Sequence, residues 1–155
     1  PPMTGFALSV DLLRRLRSAF PDTVVGVKNS SGDWNAMQAT IDALPGFNMF
    51  AGTERFLLAT LRAGGPGCVS ATANITERKA GAIAANWRAA DAEQKQTALT
   101  QSRAALERFP AIPALKEAMA ALTGREAWRR LRPPLANLGP SDAQALVALV
   151  RAMDL

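Results

Sequence analysis

Thr23-Val24-Val25-Gly26-Val27-Lys28-Asn29-Ser30-Ser31-Gly32-Asp33 is the stretch on which the fold turns. Residues 23 to 27 form a short β-branched run that reads as a buried strand. The polar residues from Asn29 onward break it, and Asp33 is placed to cap a helix whose Trp34, Met37, Ile41 and Leu44 share one apolar stripe. The same unit recurs on both sides. Upstream, Ser9 opens a helix over residues 9 to 20 with Leu13, Leu16 and Phe20 at helical spacing, ended by Pro21-Asp22. Downstream, Pro45-Gly46 closes the second helix and Phe47 to Ala51 reads as another strand. Thr53 then caps a third helix with Phe56, Leu57 and Leu61 inward, Gly64-Gly65-Pro66 ends it, and Gly67 to Ala71 is the third strand.

Strand, polar loop, helix and turn thus repeat every 20 to 25 residues or so, near the minimum for a crossover between parallel strands. After residue 74 the pattern is helical only, at roughly 75 to 90, 92 to 108, 113 to 122, 125 to 131 and 141 to 152. Three parallel strands need cover on both faces and closure at both edges. The simplest account is the C-terminal part of a larger barrel of alternating strands and helices, with a small open α/β sheet as the alternative. The expected division is 1 to 90 for the barrel portion and 91 to 155 for a helical C-terminal region.

The 155 residues carry 18 basic and 13 acidic side chains, a net charge of +5. With 48% hydrophobic and 20% charged residues, the balance is that of a globular domain. No apolar run approaches the roughly 18 residues of a membrane span, and no charged-then-apolar leader opens the chain, so no membrane association is expected. The single cysteine, Cys68, excludes an internal disulfide and fits a reducing, cytoplasmic setting. Histidine is absent, which removes Ser-His-Asp and Cys-His catalysis and His-based metal sites. Fourteen of the 18 bases are arginine, densest at Arg125, Arg129, Arg130 and Arg132 near Trp128. A solvated helix face or subunit contact explains that cluster better than a phosphate stripe, and no helix-turn-helix or aromatic ladder accompanies it. No nucleic-acid partner is expected.

Of the four lysines, Lys79, Lys95 and Lys116 fall in predicted helices, where a solvated amine is the default. Lys28 stands at the C-terminal end of the first strand, the edge where parallel α/β architectures collect functional residues. Burial beside Val24, Val25 and Val27 would lower its pKa and yield the neutral amine that attacks a ketone. The competing reading is a lysine snorkelling at a strand end or pairing with Asp33. Small residues after the other two strands, Ala51-Gly52-Thr53-Glu54 and Ser70-Ala71-Thr72-Ala73-Asn74, leave room for a ligand, though ordinary turn and cap chemistry explains each loop singly.

Taken together, Gly26-Val27-Lys28-Asn29-Ser30-Ser31-Gly32-Asp33 resembles the Schiff-base lysine motif of the dihydrodipicolinate synthase/N-acetylneuraminate lyase family. Ala51-Gly52-Thr53-Glu54, the stretch from Gly67 to Asn74, Pro113-Ala114-Leu115-Lys116 and Arg132-Pro133-Pro134-Leu135 follow in that family's order. The resemblance implies a (β/α)8 barrel with a helical C-terminal region, and a class I aldolase or lyase that binds pyruvate or another 2-keto acid as an imine and joins or releases an aldehyde. Lys28 would form the imine, without metal or cofactor. Ser30 would line the second-substrate side, Gly52 would offer its carbonyl to the keto acid, Glu54 would touch the substrate's distal polar groups, and Val69 would pack near the lysine. A homo-oligomer, tetramer or dimer, is implied as well.

The resemblance reaches only the family's C-terminal half. The family's threonine-rich loop and proton-shuttling tyrosine are missing from this stretch, which contains no tyrosine. The chain as given is therefore expected to be inactive alone, and the rival reading is a non-catalytic fragment or descendant serving assembly or binding. Met3 stands where dihydrodipicolinate synthases carry an arginine for the aldehyde's carboxylate, and Arg55 departs from the acidic pair of sialic-acid lyases. A related 2-keto-3-deoxy acid aldolase or dehydratase, or an uncharacterised member of the family, fits these substitutions better than either named activity.

Overall fold

A computed structural model describes residues 7–153, so Met3 lies outside the described residues. Helix α1 (Val10–Ala19) starts at Ser9, whose hydroxyl accepts from the Leu12 amide at 3.2 Å. Strands β1 (Gly26–Asn29), β2 (Asn48–Ala51) and β3 (Gly67–Cys68) form one parallel sheet in that order, with Lys28 beside Phe50 and Phe50 beside Gly67. Between β1 and β2 runs α2 (Trp34–Ala43), capped by Asp33. Between β2 and β3, a 3-10 turn at Glu54–Phe56 leads into α3 (Leu57–Arg62). Four longer helices follow: α4 (Ala73–Ala85), α5 (Ala92–Leu106), α6 (Ala111–Thr123) and α7 (Pro140–Ala152).

Side-chain alternation decides what the sheet exposes. Val27, Met49, Ala51 and Cys68 point to the helical side and pack with Met37, Trp34, Ile41 and Phe56. Leu13 of α1 closes the other end of that layer with Leu44, Phe47 and Val24. Lys28 and Phe50 share the opposite face, on which Lys28 is exposed and Phe50 half-buried. A third cluster joins α3 to α4 and α5 through Leu57, Leu58, Ile83 and Leu99, and a fourth joins α4, α5, α6 and α7 through Ile75, Leu106, Ala114 and Leu146. Packing therefore runs without a break across the expected boundary at residue 90.

The strands are displaced or shortened relative to expectation, each for a local reason. The first begins at Gly26 rather than Thr23, because the Thr23 and Val24 amides bond back to the Phe20 carbonyl at 3.1 and 2.8 Å and finish the helix turn. It runs on through Lys28 and Asn29, so the lysine lies within the strand. The third stops at Cys68, although the Val69 amide still reaches the Ala51 carbonyl at 2.9 Å. There the chain turns inward so that Ser70 meets Glu54. The helix expected over 125 to 131 is only a 3-10 turn, Glu126–Arg129. Proline at the third position of α6 is tolerated because the first-turn amides need no intrahelical acceptor. Among the described residues, no helix is long and apolar enough to cross a membrane.

Candidate active site at the strand C-termini

Parallel strands bring all their C-terminal ends to one edge, and here three polar loops meet. The first is organised by its own side chains. Asn29 Oδ1 accepts from the Ser31 amide at 2.9 Å, Ser31 Oγ from the Asp33 amide at 3.1 Å, and Asp33 Oδ1 from the Asn35 and Ala36 amides at 2.9 and 3.3 Å. Gly32, with φ of 77°, makes the left-handed turn within this chain of bonds.

The second loop starts at Gly52, whose amide donates to the Asn29 carbonyl at 2.7 Å and extends the β1–β2 ladder. A Cβ there would stand 2.5 Å from Ser30 Oγ, 2.7 Å from Ser30 Cα and 2.8 Å from the Asn29 carbonyl. Only glycine allows the two loops to approach so closely. Thr53 Oγ1 then accepts from the Arg55 amide at 3.3 Å and caps the 3-10 turn.

Glu54 departs from its expected role against the distal part of a substrate. It is completely buried, and its carboxylate is shared among Ser70, Thr72, Thr76 and Arg103, the last at 2.7 Å. Burial opposes the charge, but donation from Ser70, Thr72 and Arg103 outweighs it and holds the carboxyl below its ordinary pKa. Arg103 also reaches Ser70 and Thr72 directly, at 2.8 and 2.7 Å. Gln96, two turns earlier on α5, donates to the Glu54 carbonyl at 2.9 Å and accepts from the Leu58 amide at 2.9 Å. The loops after β2 and β3 are thereby fastened to α5.

Arg103 and Gln96 escaped the sequence reading, yet a signal was present. Residues 92, 96, 99, 103 and 106 lie on one face of α5, and two of the five are polar on an otherwise apolar stripe. Polar side chains in such positions need buried partners.

Lys28 sits beside Phe50 on the opposite face of the sheet and is exposed. The burial expected among its neighbouring valines is absent: Val27 alternates to the helical side, and Val25 is itself 54% exposed. Among the described residues the amine has no hydrogen-bond or ion-pair partner, so the alternative pairing with Asp33 is also absent. Val69 is half-exposed, and β2 lies between its strand and that of Lys28, an offset of about 9 to 10 Å. The expected packing of Val69 near the lysine is thus replaced by a strand's width of separation.

Ser30 and Gly52 do line a common cavity of about 320 Å³, together with Ser31, Gly32, Thr53, Arg55, Phe56, Arg103 and Glu107. Lys28 is two residues from its rim and is not part of its lining. Glu107, just after α5, bridges the two arginines: it pairs with Arg55 and accepts from Arg103 Nε at 2.8 Å. Burial works against its charge, and the two guanidiniums prevail, holding its carboxyl below the ordinary value. Cys68, near by, is a half-buried thiol whose pKa is pushed up to about 11 by burial and by the Glu54 charge. It is poorly suited to be a nucleophile.

Within the basic cluster, Arg125, Arg130 and Arg132 are exposed and Arg129 is half-buried. Arg129 donates from Nε and Nη2 to Glu117, both at 2.8 Å, and pairs with Glu126.

Comparison with known proteins follows the same lines. The family model described as the dihydrodipicolinate synthetase family matches residues 1–153. An uncharacterized DapA-like lyase of Halobacterium salinarum is 34% identical over 151 residues, which are 96% of this chain and 48% of that protein. A probable 2-dehydro-3-deoxy-D-pentonate aldolase of Escherichia coli is 32% identical over 120 residues, covering 75% of this chain and 38% of that protein. The crystal structure of dihydrodipicolinate synthase from Agrobacterium tumefaciens superposes with a TM-score of 0.86 at 30% identity, over all of this chain and 52% of that one. The chain spans about half the length of the curated relatives it matches. Its three strands are accordingly a portion of a (β/α)8 barrel and not a small self-contained sheet.

Proposed function

The chain belongs to the dihydrodipicolinate synthetase family, and on that premise we propose that it carries the imine-forming part of a class I pyruvate-dependent aldolase or lyase. The Lys28 amine adds to the C2 carbonyl of pyruvate or a related 2-keto acid and expels water. The protonated imine then draws electrons from the adjacent carbon, so that a bond to an aldehyde carbon is made or broken through an enamine. The observation that carries this reading is the position of Lys28: a lone amine in a parallel strand, open to solvent, next to the loops that begin at Ser30 and Gly52.

In this scheme the Gly52 carbonyl lies beside the keto acid and Ser30 faces the second substrate. Glu54 acts from beneath, by fixing the Gly52 loop through Arg103 and the three hydroxyls. Val69 contributes apolar wall at the same rim. Met3, apolar where an arginine would grip a carboxylate, favours an aldehyde recognised in another way. The name of the Escherichia coli relative points to 2-keto-3-deoxy sugar acids as the substrate class. Assembly as a homo-oligomer in a reducing cytoplasm belongs to the same proposal, and exposed Phe20, Ile112 and Leu122 supply apolar surface for it.

The test is Lys28→Ala. Exposed and outside the buried clusters, Lys28 contributes little to the core, so the variant keeps its fold by circular dichroism. It loses all inactivation or labelling by pyruvate with borohydride. Unchanged labelling in the variant removes the assignment. A second reading is assembly or binding without turnover, to which the exposed apolar residues Phe20, Ile112 and Leu122 are suited. An absence of labelling in the unaltered protein would make that reading the better one.

A further inference from the structure

Two guanidiniums reach the cavity from different elements, but they are not equivalent. Arg103 is largely committed: Nη1 serves Glu54, Ser70 and Thr72, and Nε serves Glu107, so that only Nη2 is without a partner among the described residues. The Arg55 side chain, 38% exposed, has Glu107 as its one carboxylate partner among the described residues, and most of its five N–H donors stay free. The same cavity is lined by three hydroxyls with protons to spare. Ser31 and Thr53 accept from backbone amides through their oxygens, and Ser30 Oγ makes no side-chain bond.

Glu107 is held in this place by two guanidiniums, Arg55 and Arg103, but in partial contact with solvent. It follows the C-terminus of α5, where the helix dipole disfavours a negative charge, and it is 42% exposed. Exposed pairs of this kind contribute little to stability, so an incoming oxyanion with more oxygens displaces the carboxylate at small cost.

Building on the lyase reading, we propose that Arg55, with the Ser30, Ser31 and Thr53 hydroxyls, binds an oxyanion, a carboxylate or phosphate, at the far end of the second substrate, and that Glu107 occupies the place of that anion in its absence. Arg55 is then a specificity-determining residue, and the arginine missing at Met3 is replaced from another loop.

The test is calorimetric titration of the whole chain at low salt with inorganic phosphate and, separately, with malonate. Arg55→Gln is expected to weaken binding tenfold or more, the factor that loss of a charged hydrogen bond produces. Arg55→Lys, which keeps the charge without the fork, weakens it less. Glu107→Gln is expected to tighten binding about threefold to fivefold by releasing Arg55. Binding to Arg55→Gln as tight as to the unaltered chain overturns the site, and unchanged or weaker binding to Glu107→Gln overturns the placeholder. Stronger binding of phosphate or of malonate tells which oxyanion the site takes. Borohydride trapping of pyruvate on the same samples separates the two claims. Trapping without anion binding removes this inference alone, whereas anion binding without trapping removes the lyase reading and leaves the oxyanion site.

Discussion

Replacing Arg103 by methionine tests the polar knot beneath the site. Glu54 is fully buried, and among the described residues Arg103 is the one cation that touches it, at 2.7 Å. Removing one partner of a buried ion pair costs about 3 to 5 kcal/mol, because the surviving charge is left uncompensated. Ser70, Thr72 and Thr76 still donate to the carboxylate, which places Arg103→Met near the lower end, about 3 kcal/mol at pH 7. The pH dependence follows from linkage. Glu54 ionises below its ordinary value in the folded chain, so its contribution is present above the unfolded carboxyl pKa, about 4.3, and is lost as the pH falls through the folded value. Without Arg103 the carboxyl takes up its proton at higher pH, and the gap between variant and parent narrows on acidification. Pairing the change with Glu54→Gln removes the stranded charge and is expected to recover about 1 to 2 kcal/mol. Urea unfolding followed by circular dichroism at pH 7 and pH 4 measures all three effects. A cost under about 1 kcal/mol at pH 7, or one equally large at both pH values, refutes the reasoning.

Other consequences are open to the same kind of measurement. Gly52→Ala forces a Cβ to within 2.5 Å of Ser30 Oγ and 2.8 Å of the Asn29 carbonyl, so the loops must part. A loss of about 1 to 3 kcal/mol in urea melts, with weaker pyruvate trapping, is expected. Asp33→Ala removes the cap of α2 and is expected to cost about 1 kcal/mol in thermal or urea melts, with little change in anion binding. Cys68, its thiol pushed up to about 11, should react with Ellman's reagent at pH 8 far more slowly in the folded chain than in urea; equal rates would show that the thiol is neither shielded nor influenced by Glu54.

The alternation of strand and helix was legible because hydrophobic period and cap chemistry agree in this chain. Ser9, Asp33 and Thr53 each cap the element expected of them, and Met37, Leu44, Leu57 and Leu13 are buried as their spacing implies. What was not legible depends on long-range partners. The ends of β1 and β3 follow from where the Thr23 and Val24 amides bond and where Ser70 turns, neither of which is encoded in strand propensity. Glu54 shows the same dependence: an acidic residue after a strand reads as a rim group until Arg103, 49 residues away, is seen to neutralise it. The burial of Lys28 was inferred from neighbours in sequence, whereas Val27 alternates to the helical side, Val24 packs with Leu13, and Val25 is itself exposed.

The most direct measurement is peptide mapping after incubation of the protein with pyruvate and borohydride. The account predicts a single reduced adduct, on the peptide containing Lys28, with Lys79, Lys95 and Lys116 unlabelled. An adduct on any other lysine, or none at a pyruvate concentration that labels an active relative, would contradict it.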